Sequence, residues 1–204
     1  MMLTYKDDES FFNIISIIKA STGRKQLSEW LLDHEPSRFR LILDTDADQE
    51  FLNMKQREEI YPGIKSIAIV NNPWKRAWIS YNDILEQTKN KEYFRLDSFE
   101  SFLFHTKANL KLSDIVSNVW YDFRTPQKDW VTYQENGVLH KAEYILRLEH
   151  INEDLKPLQE YFCNNKTLDI FDPDFDYRDQ YNDKMIDLIA EVFKEDIEMF
   201  NYQF

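Results

Sequence analysis

Apolar residues along this chain fall into short runs separated by stretches of helical spacing. Phe11-Phe12-Asn13-Ile14-Ile15-Ser16-Ile17-Ile18 is brief, isoleucine-rich and apolar on both alternating faces, the pattern of a buried parallel strand. Residues 19–24 form a polar turn, and Gln26 to Leu32 then takes helical spacing. Pro36 and Ser37 break that helix, and Phe39-Arg40-Leu41-Ile42-Leu43 predicts a second strand. A helix is expected over 44–57, with acidic residues in its first turn to complement the macrodipole. Tyr61-Pro62-Gly63 is a turn, and Ser66-Ile67-Ala68-Ile69-Val70 a third strand, again apolar on both faces.

Asn71-Asn72-Pro73 opens a helix, with asparagine as the cap and proline at the first helical position. That helix carries Trp74, Ala77, Trp78, Tyr81 and Ile84, the two tryptophans four apart on one packing face. Asp97-Ser98 caps a helix over 99–107, and residues 110–129 read as irregular and aromatic. Glu135-Asn136-Gly137 is a turn, Tyr144 to Leu148 a fourth strand, and Asn152 the cap of a helix over 153–162. A polar loop over 164–178 leads to a last helix, capped by Asn182, with Met185, Ile189, Val192, Phe193 and Phe200 on one face. Strands alternating with helices predict an α/β fold with a mainly parallel central sheet and crossover helices, built as a single domain over 1–204. In such sheets ligands bind beyond the carboxyl ends of the strands. The turns over 19–24, 44–48 and 71–73 are therefore the candidate site.

Composition narrows the chemistry. With 43% hydrophobic and 15% aromatic residues the chain has ample material for a core, which excludes disorder. One cysteine, Cys163, excludes an intramolecular disulfide and a multi-cysteine zinc site, and the histidines show no metal-ligand spacing. The net charge of −12 argues against nucleic acid and anionic membrane as partners. No apolar run is long enough to span a bilayer, and the polar start is not a signal peptide, so a cytoplasmic location is expected. Three glycines stand where average usage gives about fourteen. Gly23, Gly63 and Gly137 cannot build a dinucleotide-binding G-x-G-x-x-G loop, a Walker loop or a G-x-S-x-G elbow.

Three ordered segments carry a resemblance. Asn71-Asn72-Pro73-Trp74-Lys75-Arg76 through Tyr81 resembles the R-N-P-W-x-R-x-x-S-x-Y block of carbohydrate-type sulfotransferases. Thr125-Pro126-Gln127-Lys128-Asp129-Trp130, followed by Arg147-Leu148-Glu149-His150-Ile151, is similar to that family's P-Q-x-D-[YW] and R-[FY]-E-N-L stretches. Tyr177-Arg178-Asp179-Gln180-Tyr181 and the ending Asp196 to Phe204 resemble its Y-R-x-Y-Y and D-I-x-L-F-G-Y-x-F segments.

The resemblance implies a P-loop-like three-layer fold and metal-free transfer of a sulfuryl group from 3′-phosphoadenosine-5′-phosphosulfate (PAPS) to a hydroxyl, often on a sugar. Lys19 matches the lysine that neutralises the bridging oxygen, and Ala20, Ser21, Thr22, Gly23 and Arg24 occupy the loop that cradles the 5′-phosphosulfate. Donors at a strand-to-helix turn suit such an anion on chemical grounds as well. Two departures stand out: Asn71 and Ile79 replace the arginine and serine that hold the 3′-phosphate, and Arg76 and Ser80 lie nearby as possible substitutes. Gln127 and Trp130 suit a sugar hydroxyl and ring face, or else a packed loop. The acceptor's base is open among His105, His34, Glu50 and Asp44, with His105 carried as the catalytic candidate and as a helix histidine near the core. The rival expectation is a catalytically degenerate member acting as a binding or assembly module with a protein partner or a second copy. A nucleotide kinase of related fold is disfavoured by the missing G-K-[ST] loop.

Overall fold

Lysine 65 is the last half-covered residue before five consecutive buried ones, Ser66 to Val70, so the strand Lys65–Val70 has both faces covered. Only a central strand buries an apolar run of this kind. A computed structural model describes residues 2–5, 12–16, 27, 29–30, 39–42, 53–60, 62–63, 65–88, 97–107, 123–161, 166–168 and 176–204. Strands in chain order are β1 (Met2–Tyr5), β2 (Phe12–Ser16), β3 (Phe39–Ile42), β4 (Lys65–Val70), β5 (Thr132–Glu135), β6 (Val138–Lys141) and β7 (Tyr144–Arg147). Helices are α1 (Met54–Ile60), α2 (Pro73–Thr88), α3 (Phe99–Lys107), α4 (Gln127–Val131), α5 (Ile151–Asp154), α6 (Lys156–Tyr161), α7 (Asp183–Val192) and α8 (Lys194–Phe200). This is a mixed α/β chain. No helix among the described residues is long and apolar enough to cross a membrane.

The chain divides into two compact units, Met1–Val70 with Gln127–Pro173, and Asn71–Pro126 with Asp174–Phe204. The first unit holds the strands. β4 lies between β2 and β7, parallel to both, with Ile14 opposite Ile67 and Ile67 opposite Tyr144. Leu27, Trp30, Ile67, Ile69, Leu146, Leu148, Ile151, Leu155, Leu158 and Leu168 form one buried cluster about this sheet. The Trp30 indole donates to the Lys166 carbonyl at 2.9 Å, which gives its N–H a partner inside the core.

Several expected elements change. The second expected strand is seen as β3, paired antiparallel with β1 in a separate two-stranded sheet. The opening residues, read only as polar, supply β1. Part of the helix expected over 44–57 lies outside the described residues. Its described portion, α1, runs on to Ile60 and starts at an Asn53–Gln56 capping box, not at an acidic first turn. The irregular stretch to 129 ends in helix α4. The turn at Asn136-Gly137 joins β5 to β6 as a hairpin with both residues at positive φ, 51° and 79°, the conformation this dipeptide favours.

Asn152 does not cap a helix over 153–162. Its side chain instead pairs with both the N–H and the carbonyl of Leu168, at 2.7 and 3.2 Å, and the expected helix is split into α5 and α6 about Leu155. At the sheet end Arg147 pairs with Asp154: its Nε and Nη2 donate to the two carboxylate oxygens at 2.9 and 2.8 Å, and its backbone N–H donates at 2.8 Å.

Burial acts to raise the Asp154 carboxyl, but the hydrogen bonds and charge of Arg147 outweigh it and hold the group below its ordinary range. A carboxyl held lower in the folded chain stabilises the fold fully above its unfolded value of about 3.9, and loses that contribution as pH falls through its lower folded value. Asp154→Asn is therefore expected to cost roughly 1 kcal/mol at neutral pH and to flatten the acid side of the stability profile. Urea unfolding at neutral and acidic pH checks this; an unchanged acid slope refutes it.

In the second unit the core is aromatic. Phe102 stacks on Phe123, with ring centroids 5.1 Å apart, and Phe123 meets Phe193 at 5.3 Å. Trp78, Tyr81, Phe99 and Tyr181 extend the cluster. The two tryptophans of α2 are thus packing residues. The Trp74 indole donates to the Ile186 carbonyl at 3.1 Å, and its ring meets Phe204 edge-on.

Candidate functional site

Parallel pairing puts the carboxyl ends of β2, β4 and β7 on one edge of the sheet. Ser16, the last residue of β2, lies opposite Ile69, and Val70, the last of β4, lies opposite Arg147. β2 therefore ends beside the last residues of β4. That edge is where ligands of parallel sheets bind. The turn residues that follow β2, Lys19, Ala20, Ser21, Thr22, Gly23 and Arg24, lie outside the described residues, as do His34, Asp44 and Glu50.

Beyond β4 the geometry is fully specified. Asn72 is the cap: its Oδ1 accepts the N–H groups of Trp74 and Lys75 at 3.0 and 3.4 Å, with Pro73 at the first helical position. Its Nδ2 donates to the Gln203 carbonyl at 2.8 Å. The polar residues here are deeply placed: Asn71, Asn72, Lys75, Arg76 and Ser80 are all buried. Ile79, where the resembled family has its serine, is half-buried.

Arg76 has a defined structural task. Its Nη2 donates to the Phe123 carbonyl and, at 2.9 Å, to the Thr125 carbonyl. Its guanidinium carbon lies 5.5 Å from the Phe123 ring centroid and 5.0 Å from that of Phe193. Hydrogen bonds from a cation to carbonyls, together with two ring faces, offset part of the cost of burying a charge that is only 2% exposed. The nearby arginine is thus fastened to the 123–125 segment, across a sequence separation of 47 to 49 residues.

His105 is half-buried on α3, between buried Leu103 and Thr106, beside exposed Phe104. Gln127 and Trp130 stand on α4 in the first unit, and both are buried, Gln127 completely. Asn71 thus lies two residues before α2, Arg76 and Ile79 lie on it, His105 belongs to the same unit, and Gln127 and Trp130 belong to the other unit. Arg178 is exposed and lies over the Tyr177 ring at 4.8 Å.

Sequence reading missed the tyrosine that holds the start of α2. The Tyr181 hydroxyl donates to the Trp74 carbonyl at 2.7 Å, and burial, with a smaller contribution from Tyr177, pushes its phenol well above the ordinary value. Burial likewise raises Tyr81. Neither phenol is suited to take a proton at neutral pH. The Tyr181 bond joins residues 107 apart, so no local pattern announces it. No protein-family model, curated protein or solved structure matches this chain.

Proposed function

We propose that the protein is a sulfotransferase-like transferase of P-loop-like three-layer α/β fold, moving a sulfuryl group from PAPS to a hydroxyl acceptor, with a carbohydrate as the acceptor class. The acceptor oxygen forms a bond to sulfur as the bond from sulfur to the bridging oxygen breaks, leaving adenosine 3′,5′-bisphosphate. His105 takes the acceptor proton. Lys19 neutralises the charge that collects on the bridging oxygen, and the turn over 20–24 cradles the 5′-phosphosulfate. The observation that supports this reading is the parallel β2–β4 pairing, with Ser16 at the end of β2 opposite Ile69, and the sequence Lys19-Ala20-Ser21-Thr22-Gly23-Arg24 beginning three residues later in the chain. Gln127 and Trp130 contact the acceptor in this reading only if α4 moves, since both are buried.

A second reading has its own support: a catalytically degenerate member that serves as a binding or assembly module. It is favoured by Arg76, whose guanidinium is engaged by two backbone carbonyls, leaving Asn71 and Ile79 as neutral replacements for the 3′-phosphate contacts. Thermal unfolding with and without adenosine 3′,5′-bisphosphate separates the two. Ligand at 100 times its dissociation constant adds about 2.7 kcal/mol, which raises the midpoint of a chain this size by roughly 5–10 °C. A shift of that size supports the transferase; no shift at millimolar ligand supports the module.

A further inference from the structure

The chain reverses at the end of α8. Asn201 takes a left-handed conformation (φ 56°, ψ 46°), one that asparagine tolerates better than most residues. The Tyr202 N–H then bonds back to the Ile197 carbonyl at 3.1 Å, and the buried Tyr202 ring packs edge-on against Phe200. This sharp return brings Gln203 and Phe204 to the first turn of α2. There the Gln203 carbonyl accepts from Asn72 Nδ2 at 2.8 Å, and the Phe204 ring meets Trp74, Tyr181 and Tyr177 with centroids 5.7, 5.4 and 6.1 Å away, each edge-on.

Asn72 thus does two things with one amide. Its oxygen caps α2, and its nitrogen ties that cap to residues 131 positions later in the chain. Tyr181 fastens the next carbonyl, that of Trp74. We infer that residues 201–204 form a strap, hinged at Asn201, whose docking through Asn72 and Phe204 sets the conformation of the turn that follows β4. Release of the strap loosens this turn while leaving α7 and the aromatic core in place. The device needs no ligand, so it stands whether or not the chain binds a nucleotide.

The test uses the full chain and two variants. Asn72→Asp retains a good capping oxygen but loses the donor to Gln203 and sets a carboxylate against its carbonyl. A chain ending at Tyr202 removes the strap's last two residues without touching the cap. Amide hydrogen exchange is read residue by residue. Exchange at Trp74, Lys75 and Arg76 is expected to quicken about fivefold to tenfold in both variants, while amides in the middle of α7 keep their rates. Unchanged exchange at Trp74–Arg76 in either folded variant overturns the strap. So does an equal acceleration in α7, which would reflect a general loss of stability. If Asn72→Asp does not fold, the shortened chain decides.

Discussion

Arg76→Met is expected to destabilise the protein by about 2–4 kcal/mol, lowering the thermal midpoint by roughly 5–15 °C. Methionine keeps an unbranched stem against Phe123 and Phe193 but removes the guanidinium. The carbonyls of Phe123 and Thr125 then lose their charged donor in a buried setting, and two favourable ring contacts go with it. Replacing a buried charge by hydrocarbon can be neutral when its partners are also made apolar. Two of its partners, the Phe123 and Thr125 carbonyls, are main-chain groups that cannot be removed, and the loss of their donor weighs on the destabilising side. Arg76→Lys is expected to recover only part of the loss, because a single ammonium does not reproduce a planar fork over two rings. Urea unfolding gives the answer. A methionine variant within about 0.5 kcal/mol of the parent would mean the guanidinium is not structural. If that variant also lost affinity for adenosine 3′,5′-bisphosphate, Arg76 would be the replacement for the absent 3′-phosphate arginine.

What could be read from the sequence was what local chemistry decides. The buried run of β4, the Asn72-Pro73 cap of α2, the Ser98 cap of α3 and the Asn182 cap of α7 each follow from a few neighbouring residues. The β5–β6 hairpin was legible only at its Asn136-Gly137 turn. Its strands are mostly exposed, with Val138 and Leu139 facing solvent, so no alternation of buried and exposed positions marks them. Asn152 has the composition of a cap, yet a loop carbonyl and N–H 16 residues later compete successfully for its amide. The candidate site divides the same way. The residue types over 71–80 were visible, but the employment of Arg76 depends on carbonyls far along the chain, and spacing alone left it as a possible phosphate ligand.

On the proposed transferase reading, Lys19→Ala is expected to reduce sulfuryl transfer by about 10²–10³-fold while leaving the unfolding midpoint within about 1 °C of the parent. In transfer from PAPS the charge that grows is on the oxygen between sulfur and phosphorus. A fixed cation beside that oxygen acts more strongly in the transition state than in the bound donor, so its removal lowers kcat more than it raises KM. Lys19→Arg retains the charge but places it in a broader planar group, and partial activity is the expected result. Turnover assayed with excess PAPS and a panel of hydroxylated acceptors reads the effect, alongside thermal unfolding of each variant. Unchanged transfer in Lys19→Ala would sink the assignment of the 19–24 turn. Activity absent from the parent as well, together with no stabilisation by adenosine 3′,5′-bisphosphate, would instead favour the binding module. The two failures differ physically: the first leaves a working donor site elsewhere in the chain, while the second leaves none. Arg76→Met serves as the control for both, because a purely structural arginine alters stability in either case and donor affinity in neither.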